Sequence, residues 1–247
     1  MKYKIYPINQ GYSEIGIHDV LYRNNEGTIL KFAWGAFLLK GEDGSYIMVD
    51  TGAPSCEEIE TRGYPLRHTK DNIQITDQVR KVGADPAQIK LAIMTHLHWD
   101  HAWNVDAFPN ATFIVQEEEM NAAVHPMKIY RKSYGLMEQS NGPDWIRALM
   151  RFQTVKGDRE ILPGIRVITT PGHSAGSQSV LVDTEEGTYM IPGDWIMNKL
   201  NLERETPTGS NPDVAAWYES LEKVQSLELA GILPCHDPET YERVCYG

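Results

Sequence analysis

Thr95-His96-Leu97-His98-Trp99-Asp100-His101 places three imidazoles and one carboxylate within the six positions 96–101, directly after a short apolar run. Imidazole nitrogen and carboxylate oxygen are good ligands for zinc and its first-row neighbours. In an extended segment alternate side chains share a side, so His96 and His98 point the same way. A turn beginning at Trp99 sends Asp100 and His101 toward a second point. One loop then supplies half the ligands of each of two adjacent metals.

Working outward, residues 90–95 read as a short buried strand that delivers this loop. Three more ligand-type residues follow apolar runs in the same way. They are His173 in Thr170-Pro171-Gly172-His173-Ser174, Asp194 in Pro192-Gly193-Asp194-Trp195, and His236 in Pro234-Cys235-His236-Asp237. Sites in α/β folds gather at such strand ends. Strands are expected at 30–40, 45–49, 111–115, 165–170, 179–183, 188–191 and 232–234. Helices are expected at 71–82, with Gly83 as its stop signal, and at 116–124. A further helix begins near 211. There Asn211 suits the cap, Pro212 the first position, and Val214, Trp217, Leu221 and Val224 recur at helical spacing. Asp50-Thr51-Gly52 closes the strand at 45–49 in a tight turn. Strands and helices mixed in both halves indicate a layered α/β architecture. No repeat or Pro/Ser-rich linker divides the chain, so 1–247 is expected to be one domain. Residues 120–160, rich in Met and aromatics, are read either as core or as a segment covering the site and lining an apolar pocket.

The 247 residues are 41% hydrophobic, which excludes disorder throughout. No apolar run nears the roughly 18 residues of a membrane span, and residues 1–10 lack the apolar core of a signal peptide. With 23 basic and 34 acidic side chains the net charge is −11, so a nucleic-acid partner is not expected. Cys56, Cys235 and Cys245 form no CxxC pair and leave an odd count. That points to a reducing, cytoplasmic setting without a disulfide framework. Cys235, beside His236, is read as a buried inert thiol or as an oxidisable neighbour of the site. A homodimer stays open, with no segment that declares one.

His-x-His-x-Asp-His followed by separate His, Asp and His resembles the metal-binding pattern of the metallo-β-lactamase-fold hydrolases. Within them the chain looks most like the N-acyl homoserine lactonase branch. The carriers of that likeness are His96-Leu97-His98-Trp99-Asp100-His101, Phe108-Pro109-Asn110-Ala111 with Ile114-Val115-Gln116, Thr170-Pro171-Gly172-His173-Ser174 with Gln178-Ser179, and His236-Asp237. The resemblance implies a four-layer αββα sandwich with the site at one end of its two sheets. It also implies two zinc ions, with manganese, iron or cobalt as alternatives. His96, His98 and His173 would hold the first metal, and Asp100, His101 and His236 the second. Asp194 would bridge them. The implied reaction is the opening of a lactone ring by a metal-bridging hydroxide, with Asp194 and Asp100 as catalytic residues and Asp100 carrying a proton to the leaving oxygen. The implied substrate is an N-acyl homoserine lactone or a related lactone, or else a different ester, thioester or amide. Asp50 is read either as a turn former or as a hydrogen-bonding support for the ligand loop.

The sequence departs from the lactonases at two positions. Their tyrosine three residues after the bridging aspartate is here Met197, which has no hydrogen to donate to a developing oxyanion. Tyr130 and Tyr134 are candidate replacements, with packing as the alternative for each. The small residue common after the metal motif is here Trp103, either packed or narrowing the pocket. Other branches of the fold fit less well. A diiron oxidoreductase would carry Glu at position 98, a glutathione thioesterase would want a basic cluster, and a non-catalytic module would lack a ligand.

Overall fold

The computed structural model describes residues 1–55, 73–136 and 142–247. Eleven strands form among them, in two mixed sheets. The first sheet runs β1 (Tyr3–Gly16), β2 (Ile29–Gly41), β3 (Tyr46–Val49), β4 (Leu91–Ile93), β5 (Thr112–Gln116) and β6 (Phe152–Val155) in that spatial order. The second holds β7 (Arg159–Leu162), β8 (Ile165–Thr169), β9 (Gln178–Thr184), β10 (Gly187–Ile191) and β11 (Gly231–Ile232), also in sequence order across the sheet. The helical elements include a single turn α1 (Ile17–Val20), then α2 (Ile75–Lys81), α3 (Glu117–Val124), α4 (Lys199–Glu203) and α5 (Val214–Gln225).

Side-chain alternation sorts these elements into layers. Phe37, Leu39, Ile47, Val49 and Ile93 of the first sheet meet Val167, Val180, Val182 and Ile191 of the second in one buried cluster, the core between the sheets. The intervening residues Leu38, Met48 and Ala92 face the other way and pack with Ile75 and Val79 of α2 and Ala123 of α3. On the far side, Leu181 and Met190 pack with Trp217, Leu221 and Val224 of α5. Helix, sheet, sheet, helix is the αββα order expected.

Most predicted elements form within a residue or two of their expected limits, and the exceptions have local causes. The start of the helix expected at 71–82 lies outside the described residues; α2 ends before Gly83, whose φ of 92° suits glycine. Helix α5 is capped by Asp213, which accepts from the backbone N–H of Ala216 at 2.9 Å, so Asn211 and Pro212 precede the cap. β1 escapes notice because its polar and apolar residues follow no clean alternation, yet it pairs with β2 along its whole length through a bulge at residues 9–11. β6 and β7 are edge strands of partly exposed residues, with little apolar signal. Among the described residues no helix is long and apolar enough to cross a membrane.

Candidate metal centre

Every expected ligand follows the C-terminal end of a strand. The 96–101 loop follows β4, His173 follows β8, Asp194 follows β10 and His236 follows β11. The sheets bring these ends together. Ligand atoms of His96, His98 and His173 lie within 4.8 Å of one another, as do those of Asp100, His101, Asp194 and His236. Asp194 spans both groups. Its Oδ1 is 3.1 Å from His101 Nε2 and 3.0 Å from His236 Nε2, while its Oδ2 is 3.6 Å from His173 Nε2. Gly193 allows this turn, with φ 57° and no room for a Cβ against Thr95.

The outward-facing ring nitrogens are held by the protein. Nδ1 of His101 pairs with Asp50 Oδ2 at 2.8 Å, that of His173 with the Ser210 carbonyl at 2.8 Å, and that of His236 with the Ala33 carbonyl at 2.8 Å. His96 Nδ1 faces Thr95 Oγ1 at 3.1 Å. These partners orient the rings and turn Nε2 of each inward. His98 instead presents Nδ1, 2.9 Å from His173 Nε2. Inward-facing atoms are left without ordinary partners: buried His96 Nε2 makes no hydrogen bond, and buried Asp194 Oδ1 meets only the ring nitrogens of His101 and His236. Nε2 of His101 and His236 stand 3.3 Å apart. Lone pairs and carboxylate oxygens converging in a buried space are what a cation would satisfy, so the donor set fits two metal ions.

The two groups differ in charge. Burial, then repulsion from His101 for His96 and from His173 for His98, holds both rings well below the usual imidazole value; burial also lowers His173. Burial alone would lower His101 too, but Asp194, Asp100 and Asp50 together push it well above the usual value. Asp194 is depressed well below the carboxylate range, its burial outweighed by His236 and His101. Burial raises Asp100.

Asp50 supports the ligand loop, as one of its two readings held. Its Oδ1 accepts from the Thr95 amide at 2.7 Å, and its Oδ2 accepts from Thr95 Oγ1 at 2.8 Å as well as pairing with His101. Three such bonds hold it at φ 62°, a conformation unfavourable for a non-glycine residue. Glu119 of α3 was not singled out by the sequence. Fully buried, it accepts from the Leu97 amide at 2.9 Å, Ser174 Oγ at 2.6 Å and the Gly176 amide at 3.1 Å. Its place beside Glu117 and Glu118 disguises it as surface charge; only its i,i+4 relation to buried Ala123 hints otherwise.

A cavity of about 610 Å³ opens onto the centre. His98, Asp100, His173 and Asp194 line its floor, and Phe32, Trp34, Trp99 and Met197 line a wall. Phe32 stacks on His236 with ring centroids 4.1 Å apart, and Trp34 lies between Phe32 and Trp99. Of the two candidate-ligand carboxylates Asp100 is the more open to this space, with 12% of its side chain exposed. Of the expected pocket residues, Met197 lines the cavity while Trp103, Tyr130 and Tyr134 stand outside its lining. Trp103 is buried. Tyr130 packs, partly buried, against the core cluster that includes Ala123 of α3. Tyr134 sets its ring edge-on to His98 at 4.7 Å and turns its hydroxyl to Glu119 and Ser174, so that hydroxyl is committed inside the protein. From the 120–160 segment it is Ile129, Lys132 and Ser133 that border the cavity. Cys235 donates to the Gly35 carbonyl, and burial pushes its thiol up to about 12, as an inert thiol would be.

Comparison with known proteins agrees with this geometry. The model of the metallo-beta-lactamase superfamily matches residues 36–236. An N-acyl homoserine lactonase of Bacillus thuringiensis is 32% identical over 253 residues, covering 98% of this chain and 96% of the relative. A lactonase of Bacillus cereus is 30% identical, covering 96% and 94%. The crystal structure of a quorum-quenching N-acyl homoserine lactone lactonase superposes with a TM-score of 0.78 at 27% identity, covering 99% of this chain and 97% of that one. A lactone hydrolase structure with the product N-hexanoyl-L-homoserine bound at its catalytic metal centre gives the same TM-score and identity, covering 99% and 98%. The chain therefore belongs to the metallo-β-lactamase superfamily, alongside its N-acyl homoserine lactonases, and is a hydrolase of that fold.

Proposed function

We propose that this protein opens the ring of an N-acyl homoserine lactone or a related lactone, adding water across the ester to give the hydroxy acid. The observation that carries this reading is the seven-residue metal-ligand set at the floor of a cavity with one aromatic wall. His96, His98 and His173 would hold one divalent ion, and Asp100, His101 and His236 the other, with Asp194 between; zinc suits this nitrogen and oxygen set. Bound there, the ions would polarise the ester carbonyl and make water a nucleophile at neutral pH. The protein's own part is orientation and proton handling. Phe32, Trp34 and Met197 offer an apolar surface for an acyl chain and exclude water along it. Asp100, raised by burial and open to the cavity, carries a proton to the departing ring oxygen.

Met197 favours a second reading, a different ester, thioester or amide. A thioether offers no donor to the substrate carbonyl where lactonases place a hydroxyl. One assay separates the two. Proton release by the zinc-reconstituted chain is followed across N-acyl homoserine lactones, simple lactones, aryl esters and a glutathione thioester, with Asp100→Asn as the control. Turnover of the homoserine lactones, lost in the variant, is the expected result. Turnover of another ester alone moves the substrate to the second reading, and no turnover by a fully metallated chain overturns both.

A further inference from the structure

Glu119 sits where three segments meet beneath the first metal's ligands. Its carboxylate accepts from the amide of Leu97, which lies between His96 and His98. It also accepts from Ser174 Oγ, next to His173, and from the amide of Gly176 in the same loop. Tyr134 adds a fourth hydrogen bond through the hydroxyl of the ring that packs edge-on against His98. All four partners are neutral donors. The approach is tight: a Cβ on Gly176 would meet the Glu119 backbone nitrogen at 2.0 Å, so the His173 loop rests directly on the start of α3. None of these contacts reaches His101 or His236, whose support comes from Asp50 and the Ala33 carbonyl.

We propose that Glu119 is a positioning residue for the three-histidine half of the centre: its carboxylate gathers the 96–98 segment, the 173–176 loop and Tyr134, fixing the separation of His98 from His173. The inference rests on the two-metal reading above and adds a division of labour to it. Asp50 holds His101 of the second half directly and reaches the first half only through Thr95 beside His96, whereas Glu119 serves the first half alone. Supports of this kind commonly change metal affinity about 10–100-fold when removed.

The test titrates the metal-free full chain with Zn²⁺ and Co²⁺, reading bound metal per chain and the cobalt absorption bands. Wild type is compared with Glu119→Ala, Ser174→Ala and Tyr134→Phe, each checked for folding by circular dichroism. Wild type is expected to bind two equivalents. Glu119→Ala should keep one at wild-type affinity and bind the other about 10–100-fold more weakly. Ser174→Ala and Tyr134→Phe should weaken that same equivalent by less. In a His173→Ala background, Glu119→Ala should leave the remaining equivalent unchanged. Wild-type affinities in the variants overturn the inference, and so does equal weakening of both equivalents, the mark of a merely structural role. If Glu119→Ala does not fold, Ser174→Ala and Tyr134→Phe decide by the same criteria. A wild-type chain that binds fewer than two equivalents overturns the two-metal reading and this inference with it.

Discussion

In the three-histidine half of the centre burial disfavours charge on every ring, Tyr134 packs edge-on against His98, and neutral donors tie the segments to Glu119. The other half gathers Asp100, Asp194 and Asp50 around His101 and leaves Asp100 open to the cavity. Both rest on a buried carboxylate behind the ligands, but the charge falls differently. In the first, burial strips protons from the rings, so the site is ready for a cation near neutral pH. In the second, the carboxylates favour positive charge and, in the metal-free chain, push His101 well above the usual imidazole value. Both halves reach the cavity, the first through His98 and His173 and the second through Asp100, with Asp194 between them, but only the carboxylates bring negative charge to it.

Asp194 is where the comparison is most easily broken, since its two oxygens face different halves. Asp194→Ala is expected to weaken both metal equivalents and to lower kcat/KM by about three orders of magnitude or more, the scale of losing carbonyl polarisation and water activation together. Metal analysis with lactone kinetics checks this; loss of a single equivalent would show that the halves are independent.

Asp50→Asn sharpens the contrast at an intermediate scale. It should weaken the equivalent held through His101 about 10–100-fold and the other by less, since Asp50 reaches His96 only through Thr95. The cobalt spectrum should differ from that of the Glu119 variant, because a different ligand set is disturbed. Identical spectra would erase the division between the halves.

The smallest expected effect is on the stability of the metal-free chain. Because the fold depresses His96, His98 and His173, the unfolded chain takes up protons first as pH falls through the ordinary imidazole value of about 6.5. Stability therefore falls from pH 7.5 to pH 5.5. His101 runs the other way: its contribution is complete below about 6.5 and is lost only as pH rises toward its raised value. Thermal melts should show a lower Tm at pH 5.5, with a shallower dependence in His98→Gln and no such change in His101→Gln. A flat Tm across that window would place the protons elsewhere.

Much of this is legible in the sequence. Ligand types recur after apolar runs at 96–101, 173, 194 and 236, and a strand end needs only a few adjacent residues to declare itself. Asp50 was legible for the same reason, as an acid in a turn after a strand. Glu119 was not, because its partners lie in loops centred 22 and more than 50 residues away and its neighbours are ordinary surface acids. For Tyr134 the sequence leaves a donor for substrate and packing side by side, and the structure takes packing, with the hydroxyl turned inward. Asn211 and Pro212 carry the right chemistry for a helix start, yet Asp213 has the extended backbone and the bond to Ala216 that make the cap.

The sequence by itself determined which side chains could bind metal and that alternating strands and helices would bring strand ends to one place. Those properties are local, set by side-chain chemistry and by periodicity over a handful of residues. Tertiary structure alone decided which ring nitrogen faces inward, which oxygen of Asp194 serves which half, and which buried carboxylate stands behind each. Such pairings join segments as far apart as Ala33 and His236, 203 residues along the chain. They are settled by how two sheets stack and how loops rest on helices, where close packing leaves each side chain few places to go.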